Sequence, residues 1–76
     1  MKFEGNFEFR GYSKKTTDSG KTYYFANIED ENGEACSFNC TSEDYLLNAH
    51  KGDQVIVAFD YNAKYSNLRI CGLEVV

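Results

Sequence analysis

The chain contains no proline and no tryptophan, one histidine and one methionine, and only eight cations against twelve anions. Without proline, strands can run unbroken. The lone histidine, His50, sits at the end of a short apolar-periodic segment with no catalytic partner visible in the sequence. No Ser-His-Asp order, metal-ligand spacing, phosphate-binding loop or carboxylate pair is present, so the sequence predicts no enzyme, no metal and no cofactor. No apolar run approaches the roughly 18 residues of a membrane span. The opening Met-Lys-Phe-Glu-Gly passes straight into an alternating pattern, so no signal peptide is expected. A cytoplasmic protein with no membrane partner is the expectation.

Length is also scarce. At 76 residues the chain is one domain, residues 1–76, near the lower limit for a self-sufficient core. Such a chain buries only about 60% of its unfolded surface. An aromatic content of 16% offsets this, because each ring buries a large area. A second subunit covering an edge would help further, so a homodimer is expected.

Three cysteines is an odd number. Cys36 and Cys40 fall four apart on an expected strand, on one face but about 13 Å apart. A disulfide needs Cα atoms within about 7 Å, and one zinc ion could not be gripped without bending the strand. Reduced, inward-facing, mostly buried thiols are expected in a reducing compartment.

The net charge of −4 disfavours a nucleic-acid partner, but the charges are not evenly spread. From Arg10 to Tyr24 there are four cations (Arg10, Lys14, Lys15, Lys21) and one anion, Asp18; Tyr61 to Ile70 holds Lys64 and Arg69 and no anion. Glu29 to Asp53 holds seven anions and one cation, Lys51. The local field is what a ligand meets. Charges this few also suit solvated loops that keep the chain soluble.

Phe3, Gly5, Phe7, Phe9 and Gly11 alternate with polar residues, which predicts a first strand with one apolar face, ending at Tyr12. Gly5 and Gly11 suit a strand that bends sharply. Arg10 and Tyr12 then share the outward face. Ser13 to Gly20 has no apolar residue and is expected to be a mobile loop. Lys21 to Glu29 is a second strand with Tyr24, Ala26 and Ile28 inside and Tyr23, Phe25 and Asn27 outside. The opposite parity would bury two rings and expose Ile28, and because both faces are apolar the sequence leaves both open.

Asp30-Glu31-Asn32-Gly33 is a hairpin turn, with Asn-Gly supplying positive φ angles. Glu34 to Cys40 returns as a third strand with Cys36, Phe38 and Cys40 inward, Ser37 and Asn39 outward. Those small polar side chains leave room for a ligand to lie flat. Thr41 and Ser42 are suited to cap a helix of about two turns, with Glu43 and Asp44 complementing its dipole and Gly52 ending it. Val55, Val57, Phe59 and Tyr61 mark one face of a fourth strand over Gln54 to Tyr61. After a polar loop, Asn62 to Asn67, come Leu68, Ile70, Leu73 and Val75 on a fifth, with a bulge near Gly72.

Many short strands in so small a chain favour a closed barrel, which has no edges. A helix between the third and fourth strands is the arrangement of the OB-fold: all-β, a five-stranded Greek-key barrel with one short helix between strands 3 and 4. An SH3-like barrel competes but usually lacks a helix there and leaves less room for a long first loop.

Flexible cations beside flat rings on a sheet suit a single nucleic-acid strand, the cations meeting phosphates and the rings stacking on bases. The candidate binding residues are Arg10, Tyr12, Lys14, Lys15, Lys21, Tyr23, Phe25, Asn39, Lys64, Tyr65 and Arg69. The pieces Ser19-Gly20-Lys21-Thr22-Tyr23 and Tyr65-Ser66-Asn67-Leu68-Arg69-Ile70-Cys71-Gly72-Leu73-Glu74-Val75 resemble the small helix-destabilising, single-stranded-DNA-binding proteins of filamentous phages. The apolar spacing from Lys51-Gly52 through the fourth strand is similar as well.

That resemblance implies an OB-fold homodimer that coats single-stranded DNA without strong sequence preference, in replication or maintenance of phage, plasmid or cellular DNA. It also implies that Tyr23 stacks on bases, that Phe25 touches DNA, and that Tyr65 reaches DNA held by the partner subunit. The acidic balance and the helix set this chain apart from the phage proteins. Two other uses of the aromatic patch stand beside this one: a protein–protein interaction module and an RNA-binding barrel, since stacking does not distinguish the sugars.

Overall fold

A computed structural model describes all residues, Met1–Val76. Five strands, β1 (Lys2–Thr16), β2 (Thr22–Glu29), β3 (Ala35–Cys40), β4 (Gln54–Asn62) and β5 (Asn67–Val75), close into a barrel in the order β1-β2-β3-β5-β4. The single helix, α1 (Asp44–Leu47), lies between β3 and β4. This is the expected OB-fold-like barrel.

Closure depends on β1, which serves two neighbours. Its first half, Lys2 to Glu8, pairs antiparallel with β4, and its second, Glu8 to Thr16, with β2. The change of direction falls at a bulge between Phe9 and Tyr12, where Phe9 pairs with Ile28 and Tyr12 with Ala26. Two residues, Arg10 and Gly11, therefore oppose Asn27 alone. Gly11 takes φ 114°, a left-handed conformation that glycine adopts without a Cβ penalty. The far seam is short: β3 and β5 pair in parallel only at Asn39–Arg69 and Cys40–Ile70, and Thr41 N–H adds a bond to Ile70 O at 3.0 Å.

The bulge corrects one expectation. Alternation carried through Gly11 puts Tyr12 beside Arg10 on the outer face. The extra residue reverses the parity instead, so Tyr12 and Lys14 lie on the side of Ala26 and Tyr24, while Ser13 and Lys15 lie on the side of Phe25 and Tyr23. The loop expected over Ser13 to Gly20 is also mostly strand. β1 runs on to Thr16 and the turn is confined to residues 17–21, closed by Thr17 N–H to Lys21 O at 2.8 Å and Gly20 N–H to Thr17 O at 2.9 Å. Neither face of this two-stranded arm covers a core near its tip, so no apolar alternation marks it. A 3.3 Å hydroxyl contact pairs Thr16 with Thr22 across it.

The second-strand parity is settled by burial. Ala26 and Ile28 are buried and Tyr24 packs against the core, while Tyr23 is exposed. The core comprises Phe9, Ala26, Ile28, Cys40, Leu46, Ala49, Val55, Val57, Phe59 and Ile70, and no polar side chain is buried with them. Phe59 is its hub, with the rings of Phe3, Phe7 and Phe38 at 5.2–5.8 Å between centroids. The bulge expected near Gly72 is present: Ala58 pairs with Gly72 but Phe59 with Ile70, leaving Cys71 as the extra residue.

Two local details differ from expectation. The β2–β3 turn draws a positive φ only from Gly33 (82°), not from Asn32. Asp30 replaces that device, its Oδ1 accepting the N–H groups of Asn32 and Glu34, both at 2.9 Å. The helix is one turn, not two. Ser42 Oγ accepts Asp44 N–H at 3.2 Å, and Leu46 fills the core from the turn's inner side. Beyond Asn48 the chain leaves the helix, His50 N–H donating to Asp53 Oδ2 at 2.9 Å, and it is then tied to β1: Gly52 N–H donates to Phe9 O at 2.7 Å and Phe9 N–H to Asp53 O at 2.8 Å.

A Cβ on Gly11 would meet nothing within 4 Å, so substitution there tests backbone conformation alone. We expect Gly11→Ala to lower stability by about 1–2 kcal/mol, the cost of a left-handed L-residue. Urea unfolding followed by circular dichroism measures this; unchanged stability would show that the bulge does not constrain the strand.

Candidate nucleic-acid interface

Cross-strand pairing lines up the outer face of the barrel. One row runs Ser13, Phe25, Asn39, Arg69 and Asp60 across β1, β2, β3, β5 and β4. Lys15 and Tyr23 pair in the next row toward the tip of the arm. The row below holds Arg10, Asn27 and Ser37, with the Ser37 hydroxyl donating to Asn27 Oδ1. Beyond it lie Glu8, Glu29 and Ala35. The face thus passes from lysine and rings at the arm to carboxylates at the opposite end.

At the root of the arm the side chains enclose an open groove of about 370 Å³, lined by Thr22, Tyr23, Tyr24, Asn39, Cys40, Thr41, Asn67 and Arg69. Tyr23 is 37% exposed there. Phe25 is half-buried in the row alongside. Neither Lys15 nor Lys21 has an ion-pair partner; Lys15 pairs with Tyr23 across the arm, and Lys21 lies in the turn two residues before Tyr23. Thr22, Tyr24, Cys40, Thr41 and Asn67 lie outside the sequence-derived set, although Asn67 follows directly from its place two residues before Arg69 at the strand start.

The remaining candidates are placed differently. Arg10 lies farther along the outer face and is held by two carboxylates, Glu8 at 2.8 Å and Glu29 at 3.4 Å. Its hydrogen bond to Glu8, reinforced by the charge of Glu29, pushes its pKa up further. Since Glu8 and Glu29 are directly paired across the strands, Arg10 neutralises a like-charge contact. Tyr12 and Lys14 are on the other side of the arm. Lys14 Nζ stands 6.0 Å from the Tyr24 ring centre and 3.9 Å from Glu43.

Arg69 contacts Asp60 at 3.7 Å and still faces the groove. Lys64 and Tyr65 occupy the β4–β5 turn, which bends through Ser66 at φ 49°. Tyr65 is 69% exposed, and Lys64 Nζ lies 5.4 Å from its ring centre. A solvent-exposed ring beside a cation offers both halves of a nucleotide contact, a stacking surface and a phosphate partner.

The cysteines part from expectation at one position. All three are free. Cys40 is buried and Cys71 half-buried, but Cys36 is exposed. Cys36 does share the inward parity of Ile28, but its end of β3 has no neighbour beyond β2, so nothing covers it. Burial pushes the Cys40 thiol up, partly offset by the backbone of Ser42 and Thr41. No group of His, Cys, Asp and Glu side chains is arranged to hold a metal ion.

Comparison with models of known protein families, with curated proteins and with solved structures finds no match to this chain.

A raised pKa leaves less thiolate, the reactive form, at mildly alkaline pH. We expect iodoacetamide near pH 8 to modify Cys36 first and to modify Cys40 only on unfolding. Peptide mass spectrometry over a time course reads the order; early labelling of Cys40 would contradict its burial.

Proposed function

We propose that the protein binds single-stranded DNA without sequence preference, by stacking bases on exposed rings and meeting phosphates with the lysines of the arm. The observation that carries this is the convergence of Tyr23, Asn39 and Arg69 on one open groove, with Lys15 and Lys21 unpaired beside it. Stacking needs a flat surface open to solvent, and phosphates need cations not already committed to carboxylates. Asn39 and Asn67 supply amides able to donate or accept toward base edges or sugar.

The overall charge of −4 is unevenly spread: five of the twelve acids, Glu8, Glu29, Asp30, Glu31 and Glu34, gather around the β2–β3 turn, while Asp60 beside Arg69 and Asp18 in the turn of the arm stay near the groove. At 0.15 M salt a charge is screened over about 8 Å. A strand in the groove is governed by the nearest groups. In this proposal Tyr65 extends the contact, reaching a strand held by a second copy of the chain, and the protein assembles as a homodimer. Replication or maintenance of phage, plasmid or cellular DNA is the setting that the resemblance suggests.

Rings and charges separate experimentally. A stacked base is worth about 1–3 kcal/mol by alanine substitution. Tyr23→Ala is therefore expected to weaken oligo-dT binding by about one to two decades while leaving its salt dependence nearly unchanged. Lys21→Ala is expected to flatten the salt slope by about 0.7, the share of one phosphate contact on a single strand. Fluorescence anisotropy with oligo-dT, oligo-U and duplex at several salt concentrations measures all of these. If both variants stay folded and bind DNA like the parent, the groove is not the site. Equal binding of oligo-U would move the function to RNA.

A further inference from the structure

At the end of the barrel away from the arm, β3 is an open edge. Its only strand pairs with β5 are at Asn39 and Cys40, so Ala35 to Phe38 have a paired strand on the β2 side alone. Asp30 N–H donates to Glu34 O at 3.0 Å, which sets the alternation of the hairpin. Bonded pairs then fall at Ile28–Cys36 and Ala26–Phe38, and the backbone groups of Ala35 and Ser37 point away from β2. They are available to an added strand.

Beside this edge is a cleft of about 310 Å³ floored by Phe7, Ile28, Cys36 and Phe38. Asp30 and Glu34 stand at its mouth. A second hollow adjoins it through Phe7 and Asp30 and is flanked by Glu8, Glu29 and Glu31. Arg10 compensates Glu8 and Glu29, whereas Glu31 and Glu34 have no cationic partner.

We propose that this edge and cleft dock an extended, cationic segment of a partner protein as an additional strand. Main-chain bonds to Ala35 and Ser37 would supply affinity, as in strand addition generally. The alternation of the added strand would place every second side chain over the apolar floor. Arginine or lysine at its ends meets Glu31 and Glu34. A second copy of this chain fits poorly, because the segment it would offer, Glu29 to Asp53, holds seven anions and Lys51 alone, so Glu31 and Glu34 would meet no cation. DNA is repelled by the same acids. The docking edge, Ala35 to Phe38, and the groove residues Asn39 to Thr41 follow one another along the chain, so the two sites are distinct but adjoin at Phe38–Asn39.

The test uses the intact chain and a short fluorescein-labelled peptide alternating arginine and valine. Control peptides replace arginine by glutamate or valine by serine. Saturable binding of the arginine–valine peptide is expected, with each control weaker by about tenfold or more, the scale of like-charge or lost-anchor effects. Glu31→Gln with Glu34→Gln is expected to weaken the parent peptide severalfold. Hydrogen exchange is the second readout, with the amides of Ala35 and Ser37 becoming protected when peptide is bound. That readout needs no variant, so misfolding cannot obscure the result. Absent binding at millimolar peptide, equal binding of the glutamate peptide, or protection at Tyr23 to Phe25 instead would overturn the proposal. So would a concentration-dependent dimer that protects Ala35 and Ser37 without peptide. Oligo-dT binding is measured in parallel, and its failure would leave the docking result standing.

Discussion

The bend in β1 is the constraint on which the barrel depends. One strand must pair with β4 in its first half and with β2 in its second, and a regular strand cannot turn far enough to do both. The extra residue at Arg10–Gly11 supplies the turn, and the left-handed φ of Gly11 makes it accessible without strain. Phe9, just before the bulge, is buried and also holds Gly52 and Asp53 through its backbone. These bonds tie the start of β4 to the bulge. Its parity reversal decides which arm side chains share a face with Tyr23.

That reversal divides the cations into two groups. Lys15 joins Tyr23 and Phe25, whereas Lys14 crosses to Tyr24 and Glu43. Arg10 remains on the outer face but is engaged by Glu8 and Glu29, where it relieves repulsion between two paired carboxylates. A count of basic residues therefore overstates the charge offered to a ligand. What matters electrostatically is the subset with no internal carboxylate partner, and on the arm that subset is Lys15 and Lys21.

The two ends of the barrel differ in chemistry as well as charge. At the arm, rings, amides and free lysines surround an open groove. At the far end, an apolar floor and unpaired carboxylates surround an unpaired strand edge. Edges of this kind are normally covered or charged to prevent unwanted pairing. Glu31 and Glu34 beside this edge find no cation in the same segment of a second copy and favour a cationic partner.

The parity of β2, apolar on both faces, was decided by burial, whereas the order of elements along the chain, the inward parity of β3 to β5, the bulge near Gly72 and the closed barrel with its helix after the third strand were all legible in the sequence. Each is encoded locally: apolar residues at period two, Gly33 in a tight turn, a broken alternation between Ile70 and Leu73. Hydrophobic periodicity reports only where a strand has one dry face. It is silent along Ser13 to Thr16, where neither face of the arm covers the core near its tip, and it misleads across Gly11, where one extra residue inverts the pattern. It also gave Cys36 the right direction and the wrong burial, because a side chain is covered only if the opposite strand extends that far. Residue types made Tyr23, Asn39, Lys21 and Arg69 candidates. The grouping of Tyr23, Asn39 and Arg69 into one groove, and the withdrawal of Arg10 and Lys14 from it, depend on register between strands distant in the chain, which only the tertiary structure decides.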